Sequence, residues 1–363
     1  MANGRKRYII TMSGILAIAA GCGAGDSEEM VMADSTSASV ATGAPAAPDA
    51  QMQAVLDQHA ALNPKPIETL AAAEARQQPT PADAVKALLT SQGLPTTPEP
   101  VPEVVDRMIA GAASEIPARI YSPAGPGPFP VVVYFHGGGW VIANMDVYDA
   151  SPRALSNQCD CVVVAVGYRQ GPENRFPAAH DDAFAAYRWV LANAASIKGD
   201  PSTVAVAGES AGGGLAVSTA LMARDQGAQA PVHILAVYPI AGTDTTTASY
   251  TEHAAAKPLN RPMMSWFFEN YLSSEADRAD PRVNLVSADL GGLPSTTVIN
   301  AQIDPLRSEG EALAERLRAA GVAVEQRTWE GVAQEFFGMG AVHPKAKEAQ
   351  AMAGSALKRA FAR

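Results

Sequence analysis

Residues 204–214 read VAVAGESAGGG, and this stretch decides the fold. The first four residues are small or β-branched and apolar, which is typical of a strand buried on both faces. Gly208, Ser210 and Gly212 then match the pattern G-x-S-x-G, and a helical stretch begins at Ala211. A sharp strand-to-helix turn of this kind needs glycine on either side of the serine and presents the serine hydroxyl at the end of the strand. The stretch therefore predicts a parallel α/β sheet with Ser210 as a nucleophile.

The chain around this motif alternates between strands and helices. Such alternation favours a mostly parallel sheet with helices on both faces. A predicted hairpin opens the series, and the last strand alternates enough to lie near a sheet edge. The predicted strands cover residues 104–109, 116–121, 131–135, 162–166, 204–207, 234–238, 297–300 and 322–329, and the helices cover 178–194, 211–226, 309–320 and 345–360.

A glycine-rich loop follows the predicted strand at residues 131–135 and reads HGGGW from His136. Its glycines leave backbone N–H groups free to converge on a developing oxyanion. We therefore predict an oxyanion hole formed by the N–H groups of Gly137, Gly138 and Ala211. His136 is expected to orient this loop.

These motifs resemble the hormone-sensitive-lipase-like esterases (bacterial family IV) of the α/β-hydrolase superfamily. The resemblance covers the chain from about Val104 onward and includes the DPLR segment that begins at Asp304. It implies an eight-stranded sheet, a helical cap and a short-chain carboxylic ester as the small-molecule substrate, with no metal and no organic cofactor. Asp304 corresponds to the triad acid, which would hold an imidazole in one tautomer. In this reading, residues 51–102 are an N-terminal cap segment, 103–363 the catalytic domain and about 243–274 a cap insert.

Glutamine occupies the position at which the family carries its histidine. Residues 331–338 are GVAQEFFG, and the matching residue is Gln334. A glutamine amide does not take up a proton at neutral pH, so it is not a general base. His343 is the one histidine that follows Asp304 in the sequence, and it is a possible alternative base. The alternative expectation is that His343 lies on the surface at the start of the last helix. Glu209 is expected to point away from the base site.

Three functions remain open at this stage. The first is a serine carboxylesterase, impaired as written or using another base. The second is a ligand-binding pseudoenzyme; plant gibberellin receptors resemble the same family with the histidine lost. The third, a purely structural envelope lipoprotein, is disfavoured by the retained glycine-rich site. Trp266, Phe267 and Phe268 either line an acyl pocket or pack the cap on the core.

The N-terminal residues predict export. Three basic residues precede an apolar run too short to span a bilayer, and the run ends in small residues before Cys22. Residues 1–22 therefore resemble a lipoprotein signal peptide that would anchor Cys22 in a bacterial envelope membrane, facing the periplasm or the cell exterior. Residues 23–50 resemble a flexible tether. The net charge of -10 argues against a nucleic-acid partner, and the sequence leaves the oligomeric state open.

Cys159 and Cys161 flank a single aspartate. Two residues apart, they suit an ordinary disulfide poorly, so the expected role is that of small core or turn residues.

Overall fold

The structure is a computed structural model that describes residues 46–362. Eight strands in this part of the chain form a single sheet in the order β1-β2-β4-β3-β5-β6-β7-β8. Their bounds are β1 Glu103–Ala110, β2 Glu115–Ser122, β3 Phe129–Phe135, β4 Val162–Val166, β5 Gly199–Glu209, β6 Ile234–Val237, β7 Thr296–Ile303 and β8 Val324–Ala333.

The sheet is parallel from β4 to β8, and the antiparallel hairpin of β1 and β2 extends it at one edge. Strands β4 and β6 are buried along their whole length and β3 from Val131 onward, which explains why these sequences are continuous apolar runs. Strand β8 forms the opposite edge and shows a mixed burial pattern. The predicted eight-stranded, mostly parallel α/β sheet is confirmed.

Helices cover both faces of the sheet. Their bounds are α1 Ala50–Ala61, α2 Ala72–Ala75, α3 Pro81–Ser91, α4 Ala150–Cys159, α5 Ala178–Asn193, α6 Ala211–Asp225, α7 Ala248–Glu252, α8 Arg261–Tyr271, α9 Arg307–Ala319 and α10 Pro344–Phe361. Alternate residues of β3 divide between two buried clusters. Val131 and Val133 belong to the cluster packed by α5, α6 and α9, and Val132 and Tyr134 belong to the cluster packed by α4 and α10.

Two helical segments lie outside the strand-helix alternation. The first precedes β1 and contains α1, α2 and α3, and the second follows β6 and contains α7 and α8. The two segments touch where the indole Nε1 of Trp266 donates to the carbonyl of Leu70 at 3.1 Å. Within residues 46–362, no helix is both long enough and apolar enough to cross a bilayer. The predicted signal peptide, Cys22 and most of the tether lie outside the described residues.

The expectation for the two cysteines was wrong. Cys159 and Cys161 form a disulfide, with their Cα atoms 5.3 Å apart. Asp160 between them ends α4 in the left-handed conformation, with φ 51°. This reversal of the chain turns the two side chains toward each other, which the spacing alone does not reveal.

Candidate active site

Ser210 occupies the sharp turn between β5 and α6. Its φ of 55° and ψ of -118° lie outside the regions that an L-residue prefers, as expected for a nucleophile elbow. Gly212 is required here, because a Cβ atom at that position would lie 2.0 Å from the carbonyl oxygen of Phe135. The Ser210 side chain faces a cavity, and within residues 46–362 its hydroxyl has no hydrogen-bond partner. The hydroxyl is therefore free to meet a ligand.

The glycine-rich loop lies beside this turn because its strand, β3, is the neighbour of β5. Phe135 pairs with Gly208 in the parallel register, so the next residues of both strands emerge at the same edge. Gly138 has φ 98°, and its carbonyl accepts hydrogen bonds from the N–H groups of Val141 and Ile142. The loop thus turns back on itself at a position where only glycine fits easily.

His136 contributes to the shape of this loop. Its Nδ1 lies 2.7 Å from the carbonyl oxygen of Gly137, and Tyr168 donates its hydroxyl to the His136 carbonyl at 2.8 Å. Burial lowers the pKa of His136 to about 4, so its imidazole is neutral at pH 7. These contacts agree with an orienting role for His136. The helix beginning at Ala211 adds the N–H groups of its first turn, which have no partner within a helix.

Asp304 and Gln334 follow the last two parallel strands. Ile303 pairs with Ala333, so Asp304 and Gln334 come next to each other in the register at the same sheet edge as Ser210. One carboxylate oxygen of Asp304 accepts the N–H of Leu306 at 2.8 Å. Within the described chain, the other oxygen is buried without a hydrogen-bond partner. Burial without a second donor raises the pKa of Asp304 to about 8.

Gln334 is 1% exposed and lines the same cavity as Ser210. Neither its amide nitrogen nor its amide oxygen has a hydrogen-bond partner in the described part of the chain. Unpaired buried amides are unusual, since each group left unbonded costs about 1–3 kcal/mol. Three polar atoms on the Asp304–Gln334 side of the site are therefore buried without a hydrogen-bond partner in the described part of the chain, and of the two residues only Gln334 lines the cavity.

The cavity above these residues has a volume of about 780 Å³. Its walls come from the segment before β1, from the oxyanion loop and from the insert that carries α8. Phe267 is part of the wall, and a Cβ on Gly139 would lie 2.2 Å from the Phe267 ring. Trp266 and Phe268 are not part of the wall. Trp266 bonds to Leu70, and Phe268 packs with its ring centroid 6.3 Å from that of Trp140.

The structure places His343 away from the cavity. It is the N-cap of α10 and is 2% exposed, so the expected surface position was wrong. Its Nε2 lies 3.0 Å from Asp49 Oδ1, and its Nδ1 accepts the N–H of Lys345. With both ring nitrogens engaged outside the cavity, His343 is not brought to Ser210. Glu209 also points away from the cavity, and its carboxylate accepts the hydroxyls of Tyr134 and Tyr238.

Tyr148 and Glu335 also line the cavity, and the sequence-based prediction assigned a role to neither of them. The Tyr148 hydroxyl donates to Glu335 at 2.6 Å, and both side chains line the cavity. Burial raises the pKa of Glu335 to about 8. Glu335 adjoins Gln334, but no local signal connects it to Tyr148, because 187 positions separate the two residues. Within residues 46–362, no group of three or more His, Cys, Asp or Glu side chains could hold a metal ion.

The turn at Ser210, the glycine-rich loop after β3 and Asp304 lie at one edge of the α/β sheet, the edge at which α/β-hydrolases carry their serine nucleophile. A family profile described as alpha/beta hydrolase fold matches residues 132–338. The chain is 39% identical over 291 residues to the carboxylesterase NlhH of Mycobacterium tuberculosis, covering 78% of this chain and 91% of that protein. The chain belongs to this α/β-hydrolase family and, within it, to the carboxylic ester hydrolases.

Solved esterase structures share the fold. The hyperthermophilic esterase of the archaeon Pyrobaculum calidifontis has a TM-score of 0.74 at 34% identity, over 80% of this chain and 94% of that one. An ester hydrolase from the metagenome of Lake Arreo, solved in complex with a derivative of bipyridine phosphonate, has a TM-score of 0.78 at 33% identity. That comparison covers 86% of this chain and 99% of the other.

Proposed function

We propose that this chain is a serine carboxylesterase for short-chain esters whose turnover is limited because Gln334 stands where the family places its histidine. The observation that carries the proposal is a contrast within residues 46–362: the Ser210 hydroxyl at its glycine-rich elbow has no hydrogen-bond partner there, and neither has the Gln334 amide beside Asp304. The cavity of about 780 Å³ is large enough for a small ester.

The chemistry would be acyl transfer through Ser210. The Ser210 oxygen bonds to the ester carbonyl carbon while N–H groups of Gly137, Gly138 and Ala211 stabilise the negative oxygen. The ester C–O bond then breaks, and the leaving oxygen takes up, by way of water, the proton that Ser210 has lost, so that the product departs as the alcohol. Water attacks the acyl-enzyme in the same way and releases the acid.

The slow part of this sequence is the removal of the Ser210 proton. The Gln334 amide accepts a hydrogen bond but does not hold the proton at neutral pH. Loss of one triad member typically lowers turnover by about 10⁴- to 10⁶-fold, with a residual acceleration of roughly 10³-fold from the oxyanion hole and binding. A low but Ser210-dependent activity is therefore expected.

The test compares hydrolysis of p-nitrophenyl butyrate by the chain with that by its Gln334→His and Ser210→Ala variants. We expect Gln334→His to raise kcat by about 10³-fold or more, since it supplies the missing base. Gln53→His is a matched control, because it places an imidazole in the same cavity on an exposed residue of α1 and should add nothing. A parent chain that is already as fast as Gln334→His would contradict the limiting role of Gln334.

A ligand-binding role without turnover is the second candidate, and the unpaired Gln334 amide favours it. Its two free atoms could donate to and accept from one ligand group. If the parent and Ser210→Ala are equally inactive and both bind butyrate or an unreactive ester analogue, while Gln334→His gains no turnover, this candidate replaces the esterase.

We also propose that the chain is an exported lipoprotein anchored to a bacterial envelope membrane through Cys22. The support is the sequence pattern of small residues before Cys22. Metabolic labelling with a radioactive fatty acid should mark the chain, and Cys22→Ser should remove the label without changing esterase activity. Equal labelling of both forms would exclude this site of lipidation.

A further inference from the structure

The Tyr148 hydroxyl lies between the two halves of the site. It donates to the Glu335 carboxylate at 2.6 Å, and Tyr148 itself is 6% exposed. Glu335 immediately follows Gln334 and has a left-handed φ of 73°. The hydrogen bond therefore ties the turn after β8, which carries Gln334, to the segment that leads into α4.

The same hydroxyl packs against the oxyanion loop. A Cβ atom placed on Gly137 would lie 2.2 Å from the Tyr148 oxygen and 3.1 Å from the carbonyl oxygen of Glu209. The Cβ side of Gly137 is thus covered by the Tyr148 hydroxyl, and the carbonyl of the residue before Ser210 lies on the same side. The Tyr148 ring also approaches the His136 ring, with centroids 5.9 Å apart.

We propose that Tyr148 and Glu335 form a brace that fixes the oxyanion loop at Gly137, and that both are positioning residues for the esterase reaction. The inference rests on the proposed function. The physical reason is that an oxyanion hole works only when its N–H groups are held within about 0.5 Å of the productive position. Three glycines in a row lack side chains that could hold the loop, so the support has to come from a neighbour.

The hydrogen bond to Glu335 determines the position of the Tyr148 hydroxyl. A tyrosine hydroxyl that loses its acceptor in a buried site rotates or moves to find another one, because an unpaired buried hydroxyl is unfavourable. Any such movement of Tyr148 would release the contact with Gly137. An amide oxygen accepts a hydrogen bond from tyrosine as a carboxylate does, so Glu335→Gln should keep the brace and Glu335→Ala should break it.

The first test is hydrogen-deuterium exchange of the full chain, followed in the peptide that contains Val141 and Ile142. Both N–H groups donate to the Gly138 carbonyl, at 3.0 and 2.9 Å, and report on the loop without any need for turnover. We expect Tyr148→Phe and Glu335→Ala to speed this exchange by about 10-fold and Glu335→Gln to leave it within about twofold. Unchanged exchange in Tyr148→Phe would overturn the brace, whatever the activity of the chain.

The second test measures kcat and KM separately in the Gln334→His background. We expect Tyr148→Phe and Glu335→Ala each to lower kcat by about 10-fold with KM within twofold, and the double variant to be no worse than either single one. Tyr187→Phe is the matched control, because its buried hydroxyl donates to the Gln229 carbonyl at 2.8 Å outside the cavity.

One set of activities would contradict the brace. If Glu335→Gln loses as much activity as Glu335→Ala while Tyr148→Phe keeps its activity, the Glu335 charge and not the brace is what the reaction needs. If the proposed function is wrong, Gln334→His will be no more active than Ser210→Ala. The hydrogen-deuterium exchange test does not depend on turnover and would still show whether Tyr148 and Glu335 hold the loop.

Discussion

The two halves of the candidate site differ in how completely their polar groups are satisfied. Around Ser210, the strained turn, the glycine contacts and the loop hydrogen bonds all fit an esterase site. Around Asp304 and Gln334, one carboxylate oxygen and both amide atoms lack partners within residues 46–362. On the proposed function, the first half is built for acyl transfer, and the second half lacks the imidazole that would use Asp304.

The largest expected effect comes from combining Asp304→Asn with Gln334→His. With a histidine at position 334, loss of the carboxylate leaves the imidazole in the wrong tautomer and should lower kcat by about 10⁴-fold. With Gln334 in place, the same substitution should change kcat by less than about threefold, since there is no imidazole to orient. Steady-state kinetics on p-nitrophenyl butyrate measures both values. Equal losses in the two backgrounds would mean that Asp304 acts without the residue at position 334.

The next effect concerns the complete half of the site. Gly138→Ala should lower kcat by about 10²- to 10³-fold in both the parent chain and the Gln334→His variant, since the loss of an oxyanion donor is independent of the base. A Cβ at Gly138 would lie 2.2 Å from the Ile142 carbonyl oxygen, at φ 98°, so the loop has to move. Gly227→Ala is the control, because it has a positive φ of 63° but no atom within 4 Å. A similar loss in the control would point to general backbone strain.

A smaller expected effect distinguishes Phe267 from Phe268, two aromatic residues of α8. Phe267→Ala enlarges the cavity and should raise the kcat/KM ratio of octanoate to butyrate esters by about 10-fold. Phe268→Ala should leave that ratio unchanged and lower the free energy of unfolding by about 3–5 kcal/mol, since Phe268 is buried in the core. Both are measured in the Gln334→His background with p-nitrophenyl esters and by thermal unfolding. A change of chain-length preference in Phe268→Ala would mean that Phe268 also shapes the acyl site.

The smallest expected effect is a pH dependence of the free energy of unfolding that comes from Asp304. Burial raises the pKa of Asp304 to about 8, so between about pH 4 and 8 the folded chain binds more protons than the unfolded one. Stability therefore falls as the pH rises through this range, by up to about 1.4 kcal/mol per pH unit from this group. Asp304→Asn removes this contribution, so its Tm relative to the parent should be several degrees higher at pH 8 than at pH 5. A constant Tm difference across the range would show that the Asp304 pKa is not raised.

Much of the fold could be predicted from the sequence because the information is local. Apolar runs of β-branched residues predicted the strands, and the helix after Ser210 begins at Ala211 as expected. The strand ends then brought Ser210, Asp304 and Gln334 to one edge of the sheet, since parallel strands share their carboxyl edge. Of the three aromatic residues predicted as a possible acyl pocket, Phe267 lines the cavity, and the sequence does not distinguish it from Trp266 and Phe268.

The remaining features depend on contacts between distant parts of the chain. His343 is buried because Asp49, 294 positions earlier, accepts its Nε2 hydrogen bond. Tyr148 and Glu335 meet across 187 positions, and Tyr148 belongs to none of the motifs found in the sequence.

The sequence by itself determined the fold, the sharp turn that carries Ser210, the glycine-rich loop after β3 and the glutamine at position 334, because each depends on a short run of residues whose backbone requirements are local. Only the tertiary structure decided which aromatic side chain faces the cavity, where His343 points and which side chain contacts Gly137. Those outcomes follow from packing and hydrogen bonding between segments that come together only when the sheet and its cap have formed.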